Sequence, residues 1–440
     1  WSVVVSATTL GLVVFSRAAS FDIVLTMTTT WALTFYFLHD VERNIKRLRL
    51  LLAGFYIFIG LALLAKGLIG MVIPVGVVGL FCLFQRRLPG RSTLISLLWG
   101  LPLTLLVAGA WYVPVIWRHG WPFIDQFFIQ HHFARYLSNK YHHPRPIYYY
   151  LEIVPLLALP WSAFLIDGLL QSKLSLWRFS ETGADKAEDR LKRLMVFALA
   201  WVLFPLVFFS FSRSKLPGYI LPILPAVALI VGERLWRLSF VSGNEDSANS
   251  PARPRWPLKA TAILCLAFAA GTFAYGWRAG LLSLVCALSI ALPLMGAGCF
   301  ALFRTRRPAE SVMLIAAATT AALIFALNCA APAYAERDSS RRLLQLADAR
   351  GYAQTPINGM QRSDRTPEFY ASGRIVYEAD GEPVMYEGPN RVIWESGQRR
   401  QSYLVFVPLE ELNKLTEAAA VQTEVIGNNG RYAIVAVSPR

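Results

Sequence analysis

Long apolar stretches alternate with short polar loops over the first three quarters of this chain. Eleven stretches are predicted to form transmembrane helices, because a bilayer crossing takes about 20 apolar residues. They cover approximately residues 1–15, 22–38, 49–64, 67–84, 93–115, 147–170, 194–212, 217–235, 258–277, 280–303 and 311–330. Lipid offers no hydrogen-bond partner to the backbone, so each stretch is expected to be helical. The pattern predicts an α-helical polytopic membrane protein.

The loops on one side of these helices are rich in Lys and Arg. They contain Arg43–Arg49, Arg86–Arg91, Lys173–Arg193, Arg234–Lys259 and Arg304–Arg307. The positive-inside rule places them in the cytoplasm. The first helix then runs outward, and the chain ends outside the cytoplasm after the eleventh.

Composition supports this class of protein. Hydrophobic residues make up 55% of the 440 and charged residues 16%, against about 25% charged in soluble proteins. Much of the net charge of +15 lies in the cytoplasmic loops, so no nucleic-acid partner is expected. The five cysteines lie in or beside predicted helices and are expected to be small packing residues, not a disulfide framework: Cys82, Cys265, Cys286, Cys299 and Cys329.

The chain opens on Trp1 inside an apolar run, with neither a start methionine nor a basic signal-peptide region. We expect a piece of a longer protein. If the true N-terminus is cytoplasmic, an even number of helices, most simply two, precedes Trp1.

Three short external loops carry cations where the charge rule predicts few. Arg17 and Asp22 lie in one turn, and a helix cap explains Asp22 equally well. Lys66 with Gly67 forms the apex of a tight hairpin, where a lysine that only marks the interface is the plainer explanation. Arg213 and Lys215 precede Pro217, which is predicted to begin the next helix.

The long external loop at 118–146 is the most informative. It holds five of the six histidines, together with Arg135, Arg145 and many aromatic residues. An interfacial belt explains the aromatics but not the cations. We expect an amphipathic surface helix at 123–137. A zinc site at His131 and His132 is weakly indicated, because adjacent helical residues point about 100° apart.

The external cations therefore come from four separate loops on one membrane face. They are Arg17, Lys66, Arg135, Arg145, Arg213 and Lys215. Such a set indicates an anionic partner, and a lipid-borne phosphate is the simplest, since Arg and Lys can hold its oxygens and stabilise it as a leaving group.

At these residues the chain resembles the bacterial C-type glycosyltransferases of the protein mannosyltransferase and lipid A aminoarabinose transferase superfamily. The matching motifs are Arg17–Asp22, Ala65–Gly67, Gln130–Tyr136, His143–Pro146, Tyr148–Tyr150, Pro160–Trp161 and Ser212–Tyr219. The resemblance implies a C-type fold and inverting transfer of a sugar from a polyprenyl-phosphate carrier, such as undecaprenyl phosphate, to a periplasmic acceptor. Lipid A, another glycolipid and a protein hydroxyl remain open as acceptors.

The resemblance also implies roles for individual residues. Asp22 and Arg17 would belong to the catalytic centre. The donor phosphate would be held by Lys66, Arg135, Arg145, Arg213, Lys215 and Tyr219. The resemblance does not require a cofactor. His131 or His132 would lie beside a divalent metal, but Gln130 stands where relatives often have Glu. The family's main catalytic aspartate would precede this chain.

After the last apolar stretch the composition becomes more polar. We expect domains at 1–335, in the membrane, and 336–440, a small periplasmic α/β domain. In the latter, helices are predicted at Arg341–Ala349 and Glu410–Ala419, a strand at Tyr403–Val407, and a hairpin that turns at Asn428–Gly430. This domain is hypothesised to cover the site or to select the acceptor.

Two other functions fit an outward cation set. A transporter or flippase of an anionic lipid should show charges near the bilayer midplane and repeated helices. The sequence shows no convincing repeat, and Glu152 and Asp167 lie near the ends of their stretch. An O-antigen ligase-like enzyme would use a polyprenyl diphosphate donor, so a comparison of donors separates it from the leading hypothesis.

Overall fold

The computed structural model describes most of the chain. The described residues are 1–18, 20–42, 44–127, 129, 145–175, 186–240, 255–278, 280–304, 308–360, 366–378, 382–398, 401–418 and 421–438. They form two compact units. Residues 1–270 with 291–323 are called the membrane unit, and residues 271–290 with 324–440 the C-terminal unit.

The predicted apolar stretches are helical, as expected. The helices are α1 (Ser2–Thr8), α2 (Leu10–Arg17), α3 (Phe21–Val41), α4 (Ile45–Lys66), α5 (Ile69–Phe84), α6 (Arg91–His119), α7 (Trp121–Phe123), α8 (Tyr149–Leu157), α9 (Ser162–Ser175), α10 (Lys186–Ser210), α11 (Leu224–Phe240), α12 (Trp256–Gly271), α13 (Leu284–Phe303) and α14 (Pro308–Phe325). A 3-10 helix at Pro217–Ile223 precedes α11, and π-helical turns at Thr272–Trp277 and Ala326–Ala330 extend α12 and α14.

The structure confirms a multi-pass membrane protein but not the count of eleven spans. Within the described residues, eight helices are long and apolar enough to cross a membrane, or nine if the pair α8 and α9, bent by 118°, is one span. Helix α5 is apolar but has only 16 residues. The first apolar stretch is divided at Thr9, whose backbone is extended.

Two of these breaks satisfy each other's backbone groups. The amide of Leu10, freed by the break after α1, donates to the carbonyl of Leu159, between α8 and α9, at 2.9 Å. Beside it, the indole N–H of Trp161 donates to the Thr8 hydroxyl at 2.8 Å. Broken helices survive at membrane depth only where protein supplies such partners. The apolar pattern alone therefore does not show where a stretch is interrupted.

The C-terminal unit contains a five-stranded sheet of order β2-β1-β3-β5-β4. Its strands are β1 (Ile357–Met360), β2 (Met385–Tyr386), β3 (Tyr403–Pro408), β4 (Gln422–Asn428) and β5 (Tyr432–Ser438), and its helices are α15 (Ala331–Asp338), α16 (Arg341–Ala347), continued by a π-helical turn at Asp348–Tyr352, α17 (Thr366–Tyr370), α18 (Pro389–Ser396) and α19 (Leu409–Thr416). Strand β1 is parallel to β2 and β3, whereas β5 is antiparallel to β3 and β4. Apolar clusters cover both faces of the sheet.

The predicted α/β character of this unit is confirmed. The strand at β3, the β4–β5 hairpin and both predicted helices are present. The Ser339 hydroxyl accepts a hydrogen bond from the amide of Arg341, the first residue of α16. Strands β1 and β2 were not predicted, because each is very short.

One expectation about cysteine was wrong. Cys286 and Cys329 form a disulfide, with Cα atoms 6.0 Å apart. Cys286 lies in the first turn of α13 and Cys329 in the π-helical turn after α14, so two antiparallel helices bring them together. No local spacing in the sequence reveals that contact. Cys82, Cys265 and Cys299 are free, as expected.

Candidate functional site

Asp22 and Lys66 form an ion pair at one end of the membrane unit. The Lys66 ammonium donates to Oδ1 of Asp22. Both side chains are largely shielded, with 28% of Lys66 and 15% of Asp22 exposed. A pair in such a half-buried position is screened less by water and salt than one on an open surface.

The helix boundaries explain why these residues meet. Asp22 lies in the first turn of α3, where the hydroxyl of the N-cap residue Ser20 accepts a hydrogen bond from the Asp22 amide. The same hydroxyl donates to Oδ2 of Asp22 at 3.0 Å. Lys66 ends α4, and Gly67 follows with φ of 69°, a conformation that favours glycine. Because α3 and α4 are antiparallel and of similar length, the start of one lies beside the end of the other.

The 3-10 helix at Pro217–Ile223 completes this cluster. The ring centroid of Tyr219 lies 4.5 Å from the Lys66 ammonium, within cation–π range. Gly218 packs against Asp22 so closely that a Cβ there would lie 2.1 Å from Oδ2. The name ion-pair cluster is used below for Asp22, Lys66 and Tyr219, together with Gly218, which packs against Asp22.

Lys215 lies in the loop just before this 3-10 helix but is used differently. Its ammonium donates to the carbonyl of Arg145 at 3.2 Å and to the carbonyl of Ser212. The residue is only 5% exposed, and this burial lowers the pKa of the Lys215 ammonium. The adjacent carbonyl of Leu216 accepts the Tyr150 hydroxyl at 3.1 Å.

Three other predicted cations are exposed: Arg17, Arg145 and Arg213. None of them forms an ion pair with another residue in the described part of the chain. The Arg145 guanidinium lies 5.8 Å from the ring centroid of Tyr149. These three side chains, called the arginine rim, are available to an anion.

Several predicted residues lie outside the described ones, namely Arg135, His131 and His132. The described residues contain no group of three His, Cys, Asp or Glu side chains that could hold a metal ion. The predicted metal site and the phosphate role of Arg135 therefore stay predictions. Of the surface helix expected at 123–137, only residues 123–127 and 129 are described.

Sequence reasoning found Asp22, Lys66 and Tyr219 but missed two residues that place them. Ser20 had a usable signal, since Ser two residues before an acidic residue at a helix start is an N-cap pattern. Gly218 had none, because its role comes from the approach of Asp22, which is far away along the chain.

The sequence matches no protein-family profile. It is similar to curated enzymes named undecaprenyl phosphate-alpha-4-amino-4-deoxy-L-arabinose arabinosyl transferase. The enzyme of Pseudomonas aeruginosa is 34% identical over 205 residues, which are 45% of this chain and 33% of the relative. That of Aeromonas salmonicida is 29% identical over 234 residues, 50% of this chain and 38% of the relative. The chain thus covers about a third of these relatives' length.

Two solved structures have the same architecture. ArnT from Cupriavidus metallidurans bound to undecaprenyl phosphate superimposes with a TM-score of 0.65 at 20% identity, over 98% of this chain and 78% of that one. The chain has the ArnT fold. The apo structure of the same ArnT gives a TM-score of 0.66 at 21% identity. The resemblance to the aminoarabinose transferases and the predicted C-type fold are confirmed by these relatives.

Proposed function

We propose that this chain carries out inverting glycosyl transfer, in which an aminoarabinose-type sugar is taken from undecaprenyl phosphate. The observation that carries the proposal is 34% identity over 205 residues to an enzyme named for that donor and sugar. The ArnT structure of the same fold is bound to undecaprenyl phosphate. Lipid A is the acceptor we propose first; another glycolipid or a protein hydroxyl is the alternative.

The ion-pair cluster and the arginine rim supply the chemistry for this reaction. During transfer, the bond between the anomeric carbon and the carrier phosphate oxygen breaks, and the acceptor oxygen bonds to that carbon from the opposite side. A proton on the acceptor oxygen passes to the departing phosphate. Negative charge accumulates on the departing phosphate. Lys66 and the arginine rim stabilise that charge, and Asp22 fixes the direction of the Lys66 ammonium.

The site is proposed to face the periplasm of the bacterial inner membrane. The external placement of Asp22 and Lys66 follows from the charge of the opposite loops. The disulfide between Cys286 and Cys329 supports the same orientation. Both cysteines lie at the ends of their helices opposite Arg304, which is predicted to be cytoplasmic, and structural disulfides persist in the periplasm.

Reconstitution tests the proposal directly. The full-length protein is placed in liposomes with undecaprenyl phosphate-aminoarabinose and lipid A, and lipid A is analysed by mass spectrometry. We expect modified lipid A and release of undecaprenyl phosphate. The Asp22→Asn and Lys66→Met variants should each lower turnover by about a hundredfold, as loss of a group that stabilises the transition state does.

The same assay separates the competing functions. Movement of the labelled donor across the bilayer without modification of any acceptor would identify a flippase and reject the proposal. Activity with a polyprenyl diphosphate donor, and none with the polyprenyl phosphate donor, would identify a ligase-like enzyme instead.

A further inference from the structure

Lys215 is a buried lysine whose ammonium contacts carbonyl oxygens. It donates to the carbonyls of Arg145 and Ser212, and only 5% of the residue is exposed. Arg213, two positions earlier, is exposed. One short loop thus contains a cation turned outward and a cation turned inward.

Burying an ammonium is unfavourable unless hydrogen bonds compensate for the lost water. The Lys215 ammonium obtains them from two backbone carbonyls, one of its own loop and one 70 residues earlier in the chain. A bond to a charged donor is stronger than one between neutral groups. Lys215 therefore fastens its loop to the segment that begins at Arg145.

A second bond joins the same two segments. The Tyr150 hydroxyl, on a fully buried side chain, donates to the carbonyl of Leu216 at 3.1 Å. Two consecutive loop residues are thereby tied to a stretch of six residues, 145–150. That stretch ends the long external loop and begins α8.

The tied loop leads directly into the ion-pair cluster. Gly218 and Tyr219 follow Leu216 by two and three residues, and they contact Asp22 and Lys66 respectively. A displacement of residues 215–216 would therefore change the position of Tyr219. It would also release the backbone of Arg145, a member of the arginine rim.

We propose that Lys215 is a positioning residue that holds the Arg145 segment and the Tyr219 loop in register with the ion-pair cluster, and is not itself a ligand of the donor phosphate. This inference rests on the proposed function for its effect on transfer. The cross-link itself does not depend on that function.

The experiment uses the full-length protein and three variants. Lys215→Met removes the donor, Lys215→Gln keeps a neutral donor, and Arg213→Gln removes a neighbouring exposed charge from the same loop. Hydrogen exchange is measured on peptides that contain the amides of Tyr149, Leu151 and Tyr219. Transfer kinetics are measured in parallel, with donor concentration varied.

We expect Lys215→Met to accelerate exchange at these amides by about fivefold or more, because the opening free energy of the two segments falls. Its kcat should fall about tenfold with donor KM within about threefold, since misplacement affects the transition state more than ground-state binding. Lys215→Gln should recover part of both effects. Arg213→Gln should leave exchange unchanged and raise donor KM.

Unchanged exchange in Lys215→Met would overturn the proposal, whether or not the protein transfers sugar. A raised donor KM at unchanged kcat would also overturn it, because that result describes a phosphate ligand. If Lys215→Met does not fold, Tyr150→Phe removes the second bond and should accelerate exchange in the same peptides, and unchanged exchange there counts against the cross-link. Absence of transfer by the wild type would reject the proposed function while the exchange result still decides the cross-link.

Discussion

The cations in and near the ion-pair cluster are of two kinds, shielded and exposed. Lys66 and Lys215 are shielded and partnered, whereas the arginine rim is exposed. The phosphate of the proposed donor would meet the exposed arginines first, because the field of a charge in water extends over about 10 Å at moderate salt. The Asp22–Lys66 pair then provides a cation whose direction is already fixed.

The strength of the Asp22–Lys66 pair can be measured with a double-mutant cycle. Asp22→Asn, Lys66→Met and the double variant are compared by thermal unfolding of the purified protein. We expect a coupling free energy of about 1–2 kcal/mol, because the pair is half-buried and held by Ser20. The exposed pair Glu188–Lys192 is a matched control on α10 and should give about 0.5 kcal/mol or less. Equal coupling for both pairs would show that burial adds nothing.

A second residue-scale prediction concerns Tyr352 in the C-terminal unit. Its hydroxyl donates to Glu424 at 2.8 Å, and this bond to a carboxylate raises the pKa of Tyr352. The bond exists only while the tyrosine is protonated. Its contribution should therefore be complete below the ordinary tyrosine pKa, about 10, and should disappear as pH rises through the raised value.

Unfolding of Tyr352→Phe and wild type from pH 8 upward tests this prediction. The variant should be less stable by about 0.5–1 kcal/mol at pH 8, and the difference should shrink above the ordinary tyrosine pKa. Glu424→Gln should remove most of the pH dependence. A difference that stays constant over the whole range would mean that the hydrogen bond is not its source.

At the level of elements, Gly70 of α5 allows close packing against the backbone of a neighbouring helix. A Cβ on Gly70 would lie 2.2 Å from the backbone of Ala62 in α4, whereas Gly79 on the same helix has no neighbour within 4 Å. Gly70→Ala should destabilise the protein by about 1–3 kcal/mol, since backbone cannot move aside as a side chain can. Gly79→Ala should be neutral or stabilising by up to about 1 kcal/mol. The melting temperatures of the two variants test this prediction. An unchanged melting temperature in Gly70→Ala would contradict the close packing of α4 and α5.

The disulfide ties the start of α13 to the turn that follows α14. It closes a separation of 43 residues, so its loss should cost about 3–4 kcal/mol in the chain-entropy description. Cys286→Ser or a reductant should therefore lower the melting temperature. Cys299→Ser, on the same helix and free in the structure, should have little effect. Alkylation and mass spectrometry before and after reduction show directly whether the two thiols are paired.

Elements themselves were largely predictable, and their interruptions were not. Apolar length located α3 to α6 and α10 to α14, and it showed α8 and α9 as one stretch; alternation located β3 and the β4–β5 hairpin. Length could not reveal the division at Thr9, because the stretch remains apolar across it and the compensating carbonyl belongs to Leu159. A helix can break inside a membrane only where another segment supplies hydrogen-bond partners to the freed backbone groups.

On the scale of the whole molecule, orientation is the prediction with the widest consequences. We expect Arg213→Cys to react with a membrane-impermeant maleimide applied from the periplasm, and Leu88→Cys, which replaces a residue 84% exposed in the opposite loop, to react only after the inner membrane is permeabilised. The positive-inside rule gives this direction. The reverse labelling pattern would place the ion-pair cluster in the cytoplasm and remove the basis for a periplasmic acceptor.

The sequence predicted which residues belong to the candidate site better than it predicted how they are arranged. Asp22, Lys66 and Tyr219 were named from the sequence, and they do come together. Lys215 was expected to contact phosphate along with Arg213, yet its ammonium contacts the carbonyl of Arg145. Sequence shows that a loop is rich in cations, but which of them turns inward depends on the acceptor that another segment offers.

The sequence by itself determined the membrane class and gave the expected direction of the helices and the cation set on which the proposed lipid-phosphate partner rests. These depend on properties that act residue by residue, namely solvation by lipid and the asymmetric distribution of Lys and Arg. Tertiary structure alone decided the Asp22–Lys66 pair, the inward turn of Lys215 and the disulfide. Their partners are separated by 44, 70 and 43 residues, and no local pattern encodes a contact across such distances.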